Sequence, residues 1–489
     1  MPYPLAAAKS RVFPPIPMLR DENNPYAGAP ATPRLVQLHS HTNESDDGAY
    51  TPTELVSFYN AAGYTALAIT GHDVITSQPA GMTVAIPASE YSPITGHVGG
   101  VGVTTYARGA ETGTQAIING ILADGGIAIL NHPNWSNGTI QGHTYAEIIA
   151  LTGYAGIEIH NGVTVVQDNY GGYAVALWDQ VLSSGLTTVW GFSGDDFHTI
   201  SAVRAYNVGR VATFSDATLA GIVTALRAGC FVADVSNYGV TLNPPTVVGN
   251  TITLSCPGAT AIRFIGTSGT LLSSTLGDTG EYTVIGDEGY VRAEVVGSYT
   301  EGFGADLDWV NRWAVDAGTW AIGSGILTQS LVLDGGPRWL ALKRHILGDI
   351  EITCDGKYGD IDNQGGQFGI VFNSVGNGTG YYLRIKGSDA TNTITIYKLP
   401  ATLLGSKAAS ITYDTWYSCR IQYTAATGSI KARAWTRGEA EPATWDVEVT
   451  DTTLTSGVFA LRTLGAASFD NLYINGFKSY YQPIGVTAP

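Results

Sequence analysis

The chain is short of charge, and of positive charge most of all. Only 13% of its 489 residues are charged, with 25 Lys and Arg against 41 Asp and Glu. The formal net charge of −16 argues against a basic groove for nucleic acid and favours solubility. Clustered acidic groups would be offset in part by divalent cations. Cysteine is scarce too: Cys230, Cys256, Cys354 and Cys419 are the only four, and none form a C-x-x-C pair. A cysteine-based zinc site is therefore not expected. The four read as buried thiols or as one or two disulfides, and spacing leaves that choice open. No apolar run approaches a membrane span. No cationic segment with an apolar core opens the chain, so no secretory signal is visible. The expected setting is extracellular or virion-associated, with the cytoplasm left open by the missing signal.

What is plentiful is glycine, 61 residues, which suits β-rich domains with many turns. The length predicts two or three domains. Residues 1–33 are rich in Pro and Ala and read as an extended arm. Residues 34–232 alternate strand and helix patterns. Thr51-Pro52-Thr53-Glu54 is a capping box with proline at the first helical position. Leu55, Phe58, Tyr59 and Ala62 then form one apolar helical face. Further helices are predicted near 113–123, 145–152, 171–184 and 216–228. Short apolar strands are predicted at 35–38, 65–70, 83–88, 126–130, 157–159 and 187–191. Strands alternating with helices imply a mostly parallel sheet, open or closed. Residues 233–305 read as a small β domain, 306–480 as a two-sheet sandwich, and 481–489 as a tail.

Histidine is distributed very unevenly. Eight of nine fall between positions 39 and 198, and the rest of the chain holds only His345. His39 and His41 stand one residue apart at the end of a strand, where i and i+2 point to one face. Two hydrogen-bonded histidines would explain that pair alone. The other strand ends point to a metal centre, because each is followed by a ligand type: His72, Glu90, His132, His160, and then Asp195, Asp196 and His198. Parallel α/β folds build their sites at such ends, and six of them suggest a barrel more than an open sheet. Imidazoles together with carboxylates favour zinc, iron or manganese over calcium or magnesium.

His39-Ser40-His41-Thr42 with Ser45-Asp46, Pro52-Thr53-Glu54-Leu55, Ile69-Thr70-Gly71-His72-Asp73, Asn131-His132-Pro133 and Asp195-Asp196-Phe197-His198 follow one another in order. This series resembles the motifs of the PHP (polymerase and histidinol phosphatase) metallohydrolases over roughly residues 34–235. The spacing is most similar to the branch that includes carbamate-hydrolysing enzymes of the CehA/McbA type. The resemblance implies a distorted (β/α)7 barrel with two or three divalent cations (Zn, Mn or Fe). It implies His39, His41 and Asp196 on the first cation, Glu90 bridging to the second, and His97 and His132 completing the second. Asp46, His72 and His198 would hold the third, with Asp47 competing for the place of Asp46. His39, His41, Glu90, His132, Asp196 and His198 are the expected catalytic set. The chain departs from the family in having Gly71 where an aspartate usually precedes the histidine, and Ser89 where a glycine usually precedes the glutamate.

The chemistry expected of such a centre is ester hydrolysis, in which a water bridging two cations loses a proton and attacks. Phosphomonoesters or phosphodiesters are the first expectation; carbamates and amides suit the same chemistry. No arginine cluster accompanies the motifs; Arg204 and Arg210 are the nearest. His143 and His160 match no motif and read as structural. Glu158 and Asn161 either orient a ligand or close a turn. The last domain resembles concanavalin/laminin-G-like jelly rolls through Gly380-Tyr381-Tyr382-Leu383-Arg384-Ile385, Thr415-Trp416-Tyr417 and Phe469-Asp470-Asn471-Leu472-Tyr473-Ile474. This implies glycan or surface attachment. Trp309, Trp313 and Trp320 read as core anchors. The expected partners are a small-molecule or polymeric ester substrate and a glycan on the last domain, with homo-oligomerisation left open. The competing reading is a structural or adhesive protein of a virion tail or extracellular filament, with a vestigial or accessory PHP barrel.

Overall fold

The computed structural model describes residues 24–45, 47–93, 96–106, 113–135, 142–164, 173–199, 207–235, 239–303, 313–330, 337–359, 366–374, 378–387 and 392–486. Nine strands build the sheet of the first half: Arg34–Gln37 (β1), Ala66–Ile69 (β2), Val84–Tyr91 (β3), Val98–Val101 (β4), Ile127–Leu130 (β5), Gly156–Asn161 (β6), Trp190–Gly194 (β7), Arg210–Thr213 (β8) and Phe231–Asp234 (β9). β1, β2 and β3 pair in parallel, as do β5, β6 and β7. β4 lies between β3 and β5 and is antiparallel to both. β8 is antiparallel to β1, and β9 to β8. The sheet is thus evenly mixed, with four parallel and four antiparallel pairings, where a mostly parallel one was expected. Among the described residues no helix separates β2 from β3. The ends of β1 and β7 meet through a single parallel bridge, Ser40 to Phe197.

β2 and β5 read Ala-Leu-Ala-Ile and Ile-Ala-Ile-Leu and are buried at every position, as strands covered on both faces should be. The cover comes from helices Pro52–Ala61 (α1), Thr114–Ala123 (α2), Tyr145–Ala150 (α3), Val175–Ser183 (α4) and Leu219–Ala228 (α5). The Thr51–Glu54 capping box forms at α1, which buries Leu55, Val56 and Tyr59. α5 stops at Gly229, whose φ of +77° only glycine adopts without strain, and a Cβ there would lie 2.7 Å from the Trp190 ring. Among the described residues no helix is long and apolar enough to cross a membrane.

Among the described residues the second half is built of strands, apart from one short 3-10 turn at Thr267–Gly269. Strands at Thr251–Ser255, Ala261–Gly266, Thr270–Leu276 and Tyr290–Glu301 lead into a sandwich. One of its sheets has seven strands, running from Trp313–Ala317 at one edge to Thr402–Ala408 at the other. Leu340, Ile352, Phe368, Leu383, Ile421 and Phe469 are among the side chains of its core. Trp313 and Trp320 are buried in that core; Trp309 lies outside the described residues. All four cysteines are free, three of them buried. Cys354 and Cys419 face each other across a ladder without a bridge.

One strand ties the two halves together. Ala467–Tyr481 pairs with Ile350–Tyr358 and Tyr290–Glu301, and its last residues pair with β9. Residues 481–486, read from the sequence as the start of a tail, continue this tie. The Gln482 side chain exchanges hydrogen bonds of 2.8 and 2.9 Å with the backbone of Gly191 in β7. The Gln482 backbone N–H donates to Tyr26 of the arm, whose hydroxyl donates to the Phe231 carbonyl. A buried ion-pair group adds to this. Arg292 donates to Asp179 of α4 and to Glu294, and Lys478 donates to Glu294.

Candidate metal centre

His39 and His41 leave the end of β1 on one face, as their spacing requires. Phe197 locks that segment, because its carbonyl accepts the His41 N–H at 2.7 Å. The same contact brings Asp196 and His198, which follow β7, onto the two imidazoles. Asp196 holds a φ of +51° and His132 a φ of +28°. Such backbone strain in non-glycine residues is characteristic of sites whose side-chain direction is fixed by function.

Glu90, near the end of β3, sits in the middle. Its carboxylate lies 3.1 Å from His97 Nδ1 and His132 Nε2, 3.3 Å from His39 Nε2, and 3.4 Å from His41 Nε2 and His72 Nδ1. Asp196 Oδ1 is 3.2 Å from both His39 Nε2 and His41 Nε2. Asp47 Oδ2 lies 3.0 Å from His72 Nε2 and 2.9 Å from His198 Nε2. The potential ligand atoms fall into four overlapping groups: His41, Asp47, His72 and His198; His39, His41 and Glu90; His39, His132 and Asp196; and His72, Glu90 and His97. Within each group they lie within 4.8 Å of one another.

Glu90, His41 and Asp196 are at most 2% exposed, whereas Asp47 is 37% exposed. The centre therefore has a deep part and an outer part. Burial resists charge on His39, yet Asp196, Glu158 and Glu90 outweigh it and hold its pKa well above the ordinary value. For Glu90 burial again opposes charge, and the surrounding imidazoles pull its pKa well below the carboxylate range. Asp196 behaves in the same way through His39, His198 and His41.

The donor set fits divalent cations. His39 Nε2, both ring nitrogens of His41, His97 Nδ1 and Asp196 Oδ1 are buried without a hydrogen-bond partner. Native interiors rarely leave so many polar atoms unsatisfied in one place, and a shared cation would engage them. Imidazole with carboxylate suits zinc, iron or manganese.

Asp46 lies outside the described residues, and Asp47 is the carboxylate seen facing His72 and His198. The other eight sequence-predicted ligands converge. His143 and His160 belong to none of these groups. His143 Nε2 donates to the His97 backbone carbonyl at 2.9 Å, and burial pushes its pKa down to about 4. His160 bonds Ser193. Arg210 is turned away in an ion pair with Asp234, and Arg204 lies outside the described residues.

Other residues support the ligands. Ser92 Oγ is 2.6 Å from His72 Nδ1. Asn131 Nδ2 donates to Glu90 at 2.8 Å. Trp135 stands edge-on to the His132 ring, 4.8 Å between centroids. At Gly71 a Cβ would lie 2.9 Å from Ser45 Cβ and Val74 Cγ1, so a side chain there would have to displace its neighbours. Asp195, hydrogen-bonded by Tyr59 and by the N–H groups of Asn207, Val208 and Gly209, anchors the segment carrying Asp196.

No protein-family model and no curated protein matches the chain. Solved structures resemble parts of it. A two-domain protein from Bacteroides vulgatus, containing a predicted PHP-like metal-dependent phosphoesterase, is 17% identical. It covers 60% of this chain and 94% of its own, with a TM-score of 0.35. The carbohydrate-binding module CBM66 of Bacillus subtilis is 17% identical over 33% of this chain and 93% of its own, with a TM-score of 0.28. Winged bean acidic lectin, solved with methyl-alpha-D-galactose, is 8% identical over 37% of this chain and 99% of its own, with a TM-score of 0.31.

Proposed function

We propose that the chain is a metal-dependent hydrolase of the PHP type that cleaves ester bonds, with phosphomonoesters or phosphodiesters as its substrate class. The observation that carries this reading is the convergence of five imidazoles on the buried carboxylate of Glu90, with Asp196 beside it. His39, His41 and Asp196 would hold one cation, Glu90 with His97 and His132 a second, and Asp47, His72 and His198 a third. Bound cations supply an activated water and polarise the bond under attack.

The chain's own residues shape what happens around them. Glu90 and Asp196 supply buried negative charge that offsets the cations. Asp47 and His72 line the open side, where a substrate enters. Trp135 packs edge-on against His132. The β half would serve attachment to a surface or glycan.

The test combines metal analysis of the purified chain with a screen of phosphomonoesters, phosphodiesters and carboxyl esters. Two or three bound cations with turnover of a phosphate ester is the expected result. Bound cations without turnover of any ester would overturn the hydrolase reading and favour a structural role.

A further inference from the structure

Strand β6 passes behind the deep part of the centre and contributes none of the convergent ligands. Its Glu158 and Asn161 are nonetheless buried, Glu158 at 4% exposure and Asn161 at 0%. Burying a carboxylate is costly unless every oxygen is engaged. Here both oxygens are engaged. Oε1 lies 2.8 Å from His39 Nδ1. Oε2 accepts the His132 backbone N–H at 2.8 Å and the Asn161 amide at 2.9 Å. Asn161 is itself oriented, because its Oδ1 accepts the N–H groups of Val163 and Thr164. That leaves its Nδ2 facing Glu158 and, at 3.2 Å, Asp196 Oδ2.

We propose that Glu158 and Asn161 are positioning residues that shape the deep part of the metal centre, by holding His39 as its Nδ1–H tautomer and fixing His132 and Asp196 beside it. The inference rests on the metal-centre reading above. A carboxylate accepts, so the hydrogen of a neutral His39 sits on Nδ1. The lone pair of Nε2 then points toward Glu90 and Asp196, 3.3 and 3.2 Å away. A hydrogen bond from the far ring nitrogen to a carboxylate also raises the basicity of a ligating imidazole. The three groups served come from three different strand ends, and together they form one of the candidate cation groups. The outer group of His41, Asp47, His72 and His198 has no contact with either residue in this arrangement.

Glu158→Gln tests the idea with almost no change of shape. The amide oxygen must still accept from His132 and Asn161, so the amide NH2 faces His39. His39 Nδ1 then accepts, its hydrogen moves to Nε2, and that nitrogen can no longer ligate. Titration of metal-free protein with Mn(II) and Co(II), read by calorimetry and by the Co(II) absorption spectrum, is compared between wild type and variant. The expected result is one class of cation weakened about 10- to 100-fold and the outer class unchanged. Unaltered affinity in both classes, or equal weakening of both, overturns the proposal while leaving the metal reading intact. A wild-type chain that binds no cation overturns both. If Glu158→Gln does not fold, 15N NMR of imidazole-labelled, Zn(II)-loaded wild type decides. A proton on Nδ1 of His39 with Nε2 on the cation is expected, and a proton on Nε2 overturns the proposal.

Discussion

The stability of the metal-free and metal-loaded protein should depend on pH with opposite sign. In the metal-free chain the His72 pKa is pushed up to about 9. Burial works against its charge, but the hydrogen bond with Asp47 and the charges of Glu90, Asp47 and Asp196 outweigh it. A folded-state pKa above the ordinary 6.5 means that the pairing stabilises the fold fully below that value. The stabilisation is then lost as pH rises through the folded pKa. The size of the shift corresponds to about 3 kcal/mol, counted once for the His72–Asp47 pair and reduced by the solvent that reaches it. Cation binding works the other way, because the imidazole must give up its proton. Each cation at 100 times its dissociation constant adds about 2.7 kcal/mol. At about 2–4 °C per kcal/mol for a unit of this size, the two effects together separate the midpoints by several degrees. Differential scanning calorimetry at about pH 6 and about pH 8.5, with Mn(II) or with a chelator, should show the gap widening as pH rises. His72→Asn gives the baseline for every other titrating group. A gap that is constant or narrows with pH, in wild type relative to that variant, would refute the reasoning.

Other perturbations read other parts of the structure. His41→Ala removes a fully buried ring that serves both the deep and outer groups. It should abolish metal binding and turnover, and calorimetry should still show the sandwich unfolding at its wild-type temperature. Gly71→Ala forces a Cβ to within 2.9 Å of Ser45 and Val74. It should cost about 1–3 kcal/mol in urea unfolding and weaken the outer cation. Glu294 has its pKa lowered to about 2: burial opposes this, and Lys478 and Arg292 outweigh burial. Its contribution is therefore present above the ordinary 4.5 and lost as pH falls toward 2. Glu294→Gln should remove a loss of about 3 kcal/mol from the acid limb of a stability–pH profile.

Side chains that act through local spacing were legible in the sequence. His39 and His41 needed only the two-residue period of a strand, and α1 needed only its capping box. Long-range pairing was less so. β4 reads Val-Gly-Gly-Val, a poor strand by propensity. Its glycines are there because a Cβ at Gly99 would lie 2.8 Å from Asn131, and at Gly100 2.6 Å from the Tyr91 ring. That hidden strand, with antiparallel β8 and β9, is why a mostly parallel sheet was expected and an evenly mixed one was found. Residues 481–486 look like a tail because nothing local reveals that Gln482 will meet Gly191. The role of Glu158 stayed open and Ser92 went unmarked for the same reason, since each depends on a histidine 119 or 20 residues away.

The central claim is that these imidazoles and carboxylates share a small cluster of cations. Anomalous diffraction from crystals of the Mn(II)- or Zn(II)-loaded chain tests it most directly. The account predicts strong peaks at the Glu90 carboxylate, one bounded by His39 and Asp196 and another by His97 and His132, with a weaker one near Asp47. A map without peaks there, with the same side chains rearranged into ordinary hydrogen bonds, would contradict it.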